Sequence, residues 1–214
     1  MAMQARAEAT RRKIIDSAVD LFSDLGYGET GLADVLQRAG VSKGAFYYHF
    51  ESKEAVASAI IDEFDRRCGE IVDSEFDMQA PRLEALVAAT FAVQNFMWSD
   101  KVGQTGQLLA QALDQVSGAG SRIYTTWTGR FTEMIAALVD AGELRQGLDV
   151  DDVAEAVWAG VLGSHLVSAA VGDDPFIRLG RAWRLMLRSI VPAQAADDGA
   201  ALVREVARRY SVGV

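Results

Sequence analysis

The 214-residue chain is 50% hydrophobic and 24% charged, with 3 Pro and a single Cys, Cys68; this balance excludes a disordered, collagen-like or disulfide-stapled chain. A formal net charge of −9 excludes a protein that coats nucleic acid through bulk electrostatics. The charge is uneven, since residues 1–60 carry 7 Lys/Arg against 8 Asp/Glu and the remainder 14 against 22, so a near-neutral N-terminal quarter can still present a basic face and any nucleic-acid contact must be local.

Helix formers dominate throughout. The first periodic segment runs from about Ala5 to Leu25, with Ile14, Ala18, Leu21, Phe22 and Leu25 at helical spacing and Gly26 suited to a left-handed stop. A short helix follows over 32–39, with Leu32, Val35, Leu36 and Ala39 apolar and Gly40 closing it. Ser42 can cap a third helix, 43–49, whose inward residues are Ala45 and Phe46, with Phe50 beyond. Ser52 opens a long helix to about Asp73, striped by Val56, Ile60, Ile61, Phe64, Ile71 and Val72. Pro81 suits the start of the next, which reaches Trp98. Residues 102–116 read as a helix with a late or kinked start, because Gly103 and Gly106 interrupt it, and 117–121 (SGAGS) read as a loop. Helices over about 121–141, 150–171, 175–190 and 195–210 complete an all-α chain of nine or ten helices. Asp149 and Asp174–Pro175 mark two of the starts.

Two short helices joined by the tight turn AGVS form a helix-turn-helix pattern. The run LFSDLGYGETGLADVLQRAGVSKGAFYYHFESKEAV, Leu21–Val56, resembles the DNA-binding signature of TetR-family transcriptional repressors, and its core G-V-S-K-G-x-x-Y-x-H-F-x-S-K-E is far more specific than a generic helix pair. The resemblance implies a DNA-binding domain over 1–51 and a ligand-binding and dimerisation domain over 52–214. It also implies that the third helix enters the major groove of a double-stranded operator.

On that reading Ser42 caps the recognition helix and Lys43 reaches guanine or phosphate. Gly44 and Ala45 let the backbone approach base edges, while Tyr47, Tyr48 and His49 hold the DNA backbone. Lys53 sits beside a phosphate, and Arg6 belongs to an N-terminal arm. Alternatives stay open for several: Tyr47 as core, His49 as a packing histidine, and Arg6, Arg11 and Arg12 as a solvated face. The family has a hydroxyl residue where Gly31 stands, so only Thr30 is available for that contact.

For the C-terminal half the resemblance implies a small-molecule pocket and a homodimer built from helices 150–171 and 175–190. Trp158, Val161, Leu162, Trp183, Met186, Leu187 and Ile190 supply either interface or intrachain core. The pocket lining is expected from Phe91, Asn95, Trp98, Gln104, Leu108, Gln111, Trp127, Phe131 and His165, with Thr128 adding polarity. A few neutral polar groups among apolar ones suit a lipophilic effector with some oxygens. The segments RAEATRRKIIDSAVDLF and KGAFYYHFESKEAVASAII, with Trp127 in YTTWTGRF, are similar to the γ-butyrolactone receptor branch, where the tryptophan contacts the effector.

Catalysis finds little to work with. His49 and His165 lie far apart in sequence, a His/Cys zinc set lacks ligands, and LGSHL (162–166) does not make a nucleophile elbow. An enzyme, a cofactor and a metal are therefore not expected. No stretch reads as apolar over the ~18 residues of a membrane span, and the N-terminus lacks a signal-peptide core, so a cytoplasmic protein without membrane contact is the expectation.

Overall fold

The computed structural model describes residues 2–112, 119–192 and 196–210, which form ten α-helices. They are α1 (Ala2–Leu25), α2 (Leu32–Ala39), α3 (Lys43–His49), α4 (Lys53–Glu75), α5 (Leu83–Ser99), α6 (Lys101–Ala112), α7 (Ala119–Asp140), α8 (Val150–Val171), α9 (Pro175–Ile190) and α10 (Ala196–Arg208). The chain divides into two compact units: Met1–Arg67 with Ser99–Gly120, and Cys68–Trp98 with Ser121–Val214. That division differs from a boundary after residue 51, because the first part of α4 and all of α6 belong with α1–α3.

In the first unit α1 buries Ile14, Ala18, Leu21 and Phe22 and packs against α2, α3 and α6. Gly40 adopts φ +60°, which lets its N–H and that of Val41 return to the carbonyls of Gln37 and Leu36. Ser42 Oγ then accepts the Ala45 N–H at 3.2 Å and starts α3. Asp34 accepts the Gly31 N–H at 2.8 Å, so a carboxylate satisfies the start of α2 without a hydroxyl residue there.

Helix α6 corrects the expectation of a kinked or late start. Asp100 Oδ1 accepts the N–H groups of Val102 and Gly103, and α6 begins at Lys101 with both glycines inside it. The same carboxylate receives both guanidinium nitrogens of Arg67 on α4 at 2.9 Å each. Burial pushes this carboxyl up, but Arg67 and the two amides prevail and hold it below the usual carboxylate range. Lys101 also bonds Asp20 on α1. Gly106 explains the second glycine: a Cβ there would lie 2.3 Å from Phe64 Cβ and 2.7 Å from its Cγ.

In the second unit α5 is buried on nearly every side. Trp183 on α9 is fully buried and donates its indole N–H to Thr90 Oγ1 at 2.8 Å, while that hydroxyl donates to Val87 O. Phe91 stacks on Phe176 and leans on Tyr210. Asp149 and Asp174 cap α8 and α9, each accepting two backbone N–H groups. Of the SGAGS segment, Ala119 onward is helical, which corrects the loop assigned there; 113–118 and 193–195 lie outside the described residues.

By length and hydropathy α8 could cross a membrane, which the sequence reading had denied. Its apolar character has two other uses: one stripe packs against α9, and the opposite side leaves Leu166, Val167 and Val171 exposed. Trp158, Val161, Trp183, Leu187 and Ile190 are buried within the single chain. Their place is intrachain core, not a surface awaiting a partner.

Replacing Gly106 with Ala forces α6 off α4, because Phe64 Cβ is fixed to its own backbone and cannot rotate away. The expected cost is about 1–3 kcal/mol of unfolding free energy, measured by urea denaturation of the purified protein.

Candidate functional site

The helix-turn-helix divides its aromatics cleanly. Phe46 is 0% exposed and contacts Phe50 and the edge of Tyr47. Tyr47 and Tyr48 are 48% and 77% exposed. Lys43 and Gly44 are exposed and Ala45 and His49 half-buried, with Lys43 Nζ 5.9 Å from the Tyr47 ring centre and His49 edge-on to Tyr48. An added Cβ at Gly44 would meet only Ser42 Oγ, at 4.0 Å, so the leading end of α3 is bare backbone. Arg6 is exposed on α1, and Arg11 lies 5.2 Å over the Phe50 ring.

One expected contact needs correction, and a second residue is largely committed elsewhere. Thr30 is 1% exposed and donates its hydroxyl inward to Gly26 O at 2.8 Å, so its side chain is not on this face. Lys53 donates to the carbonyls of Tyr27 and Thr30 at 2.9 and 2.8 Å and lies 4.1 Å over the Tyr27 ring. Its ammonium braces the loop before α2, leaving one N–H for anything else. Burial, and then the neighbouring Glu54 carboxylate, push the Tyr27 phenol up to about 12, so it stays neutral under the lysine.

The expected effector residues separate into groups. In the second unit Trp127 and Phe131, 3% and 2% exposed, form an aromatic cluster with Trp158, whose ring lies 5.7 Å from Trp127 in a stacked pose. Trp98 stands edge-on to the buried His165 at 6.0 Å. Gln94, 0% exposed, places its amide 3.2 Å from His165 Nδ1. Its other amide atom has no partner, and reversing the amide would only exchange which end is left over. Phe91 belongs to the Phe176–Tyr210 core, and Asn95 is exposed on the far side of α5. Helix α6 falls in the first unit with Gln104 and Gln111 half-buried and Leu108 56% exposed. Its buried polar residues are Thr105 and Gln107 instead, and Thr105 Oγ1 and both Gln107 amide atoms lack partners.

Gln94 and Gln107 are the residues that sequence reasoning missed. Among the described residues no group of three metal-ligating side chains occurs.

With this geometry in hand, comparison with known proteins is decisive. A family described as bacterial regulatory proteins, tetR family, matches residues 14–60, and one described as tetracyclin repressor-like, C-terminal domain, matches residues 80–192. The chain belongs to the TetR family. It is 31% identical to the A-factor receptor protein of Streptomyces griseus, over 98% of this chain and 76% of that one. The crystal structure of a gamma-butyrolactone receptor (ArpA-like protein) superposes with a TM-score of 0.78 at 30% identity, covering 95% of this chain and 99% of the other. CprB from Streptomyces coelicolor, studied in complex with its operator sequence, gives 0.75 at 31%, covering 95% and 99%. The protein is therefore a TetR-family transcriptional repressor with a helix-turn-helix DNA-binding domain, and not an enzyme.

Burial disfavours the imidazolium and lowers the His165 pKa. The folded chain thus holds this ring neutral while the unfolded chain takes up a proton at about 6.5. The stability it contributes is complete above that pH and is lost as pH falls through the lower folded-state value. Melting temperatures of wild type are expected to fall between pH 7.5 and 5.5 by more than those of His165→Asn.

Proposed function

We propose that the protein is a cytoplasmic, homodimeric repressor that reads a palindromic operator through α2 and α3 and is released by a lipophilic, γ-butyrolactone-like effector held in the second unit. The observation that carries the effector reading is the buried Gln94–His165 pair beside Trp98. An amide fully out of water with one end unpaired costs about 1–3 kcal/mol, which a ligand oxygen or hydroxyl offsets by completing it. Neutral donors and aromatic walls, with no buried cation nearby, suit an uncharged ligand with a few oxygens. The relatives named for A-factor and γ-butyrolactone point to the same class. Exposed apolar side chains on the last two long helices, Leu166, Val167 and Val171 on α8 and Ile177 and Leu185 on α9, support pairing of two copies and hence two reading heads. Helix α4, shared between both units, is the element through which effector occupancy shifts the reading heads.

On the operator, Lys43 contributes a charged contact to guanine or phosphate, Gly44 and Ala45 admit base edges, and the Tyr47, Tyr48 and His49 tips hold phosphates. Tyr48→Phe removes an exposed hydroxyl without touching the core and is expected to weaken operator binding by about fivefold. Lys43→Ala is expected to weaken it further and to lower the slope of log affinity against log salt by about one.

The test of the whole reading is a gel-shift titration with the intergenic DNA beside the protein's own gene, with and without a γ-butyrolactone bearing a lipophilic side chain. Release by the lactone, lost in Gln94→Leu while DNA binding persists, is the expected result. Operator binding indifferent to the lactone and to a lipophilic extract of the host culture would mark a ligand-independent regulator instead.

A further inference from the structure

The outer face of the α8–α9 pair carries more than exposed apolar side chains. The two helices form an antiparallel hairpin closed by residues 172–174. Near that turn Ser168 Oγ accepts the Arg178 guanidinium at 3.3 Å, and farther along a Cβ added to Gly160 would lie 3.8 Å from both Ala182 and Met186. The start of α8 therefore stands level with the last turn of α9.

Exposed residues change character along this hairpin. At the turn end they are apolar: Leu166, Val167, Val171 and Ile177 all face solvent. At the open end they are ionic, with Asp152 and Glu155 exposed on α8, Arg188 exposed on α9 and Arg184 half-buried beside it. Among the described residues none of these four forms an ion pair, whereas Arg130, Arg178 and Arg209 of the same unit each hold a carboxylate. Glu155 lines a groove against α7, and Arg184 and Arg188 line one against α10. Opposite charges thus occupy opposite flanks of one hairpin. Between the two ends Leu185 projects from α9, 68% exposed, at the height of Gly160. One turn along α8, Gly163 has no positive φ, and an added Cβ would meet nothing within 4 Å. Nothing within the chain calls for a glycine there, and its effect is a hollow in the outer face.

A twofold axis in the plane of this face can run across the helices or along them. Across them, the ionic end of each copy meets the apolar end of the other, and its charges lose water without gaining partners. Along them, height is preserved and α8 of each copy faces α9 of the other. Apolar ends then meet, Leu185 of the partner subunit enters the hollow at Gly163, and the acidic flank of α8 meets a basic flank at both edges.

We infer that the homodimer proposed above, on which this rests, is keyed by a charge clasp. Asp152 and Glu155 of one subunit pair with the partner subunit's Arg184 and Arg188, twice over, about an axis that runs along α8 and α9. Charged contacts of this kind set partner choice and alignment more than raw affinity.

Sedimentation equilibrium on full-length chains tests the clasp with two complementary variants. One carries Glu155→Arg with Asp152→Asn, which avoids placing a cation at the start of α8. The other carries Arg184→Glu with Arg188→Glu. In either variant alone like charges face each other at both edges, and the dimer dissociation constant is expected to rise about tenfold or more over wild type. Mixed in equal amounts, the two are complementary at both edges. They are expected to form a heterodimer within about threefold of wild-type affinity, and that recovery also shows that each variant folds.

Wild type that stays monomeric at the concentrations where it shifts DNA would sink the homodimer reading and the clasp with it. A dimeric wild type beside variants that each self-associate as tightly would overturn the clasp alone. So would a mixture no more associated than its separate components; apolar contact or a different axis then joins the copies.

Discussion

In the first unit Gly106 on α6 lies directly against Phe64 on α4, where a Cβ has no room. Two helices can come this near only where one of them has no side chain, and 2.3 Å from a hypothetical Cβ to a real one leaves no slack. Polar contacts then fix the angle: Arg67 on α4 grips Asp100, which also caps α6, and Lys101 reaches back to Asp20 on α1. A carboxylate that simultaneously ends a helix and receives a bidentate guanidinium is constrained in both position and direction. Helix α6, which sequence order would assign to the C-terminal domain, is in this way built into the unit that carries the reading head. Any displacement of α6 is therefore transmitted to α1 and α4 by contact, without a loop to absorb it.

The reading head depends on a division of labour within seven residues. Phe46 is placed wholly inside, and that single inward ring, backed by Phe50, turns Tyr47 and Tyr48 outward. Lys53 illustrates how a charged residue in a DNA-binding signature can be committed to the scaffold. Its two carbonyl acceptors and the Tyr27 ring hold the loop that precedes α2. Losing its charge would disturb the presentation of α2 and α3 even if no phosphate ever touched it. Thr30 does similar work with a hydroxyl, tying the same loop to the end of α1.

Periodicity and capping residues made the helices legible, because each relies on local chemistry: Ser42, Asp149 and Asp174 cap where their spacing says they should. What stayed illegible were choices made by tertiary contact. Gly106 reads as a helix breaker because a glycine that admits a neighbouring helix looks, in sequence, like one that ends its own. Asn95 stood among the expected lining residues and Gln94 did not, although phase distinguishes them. Asn95 stands three turns beyond the exposed Glu84, and Gln94 three turns beyond the buried Leu83, so a stricter count of the helical repeat would have found the inward amide. Trp158 read as either interface or core, and its neighbours Trp127 and Phe131 show it to be core. Thr30 was misjudged because nothing local reports that its hydroxyl turns back to Gly26.

The unsatisfied polar atoms are not scattered at random among the described residues. They fall on Gln94, Thr105, Gln107 and Trp158, all in helices that follow the helix-turn-helix, while the buried Thr30 hydroxyl in the loop before α2 has two carbonyls within reach. Thr105 and Gln107 lie on α6, in the unit that carries the helix-turn-helix, and Gln94 and Trp158 in the other. A sensor gains from such atoms, since groups left incomplete lose stability in the free state that a ligand restores on binding. The same amide that destabilises the empty chain by about 1–3 kcal/mol therefore widens the free-energy gap between empty and occupied states. That gap is the quantity a ligand-controlled repressor must generate, and here it is written in which buried atoms lack a partner rather than in any charged or reactive residue.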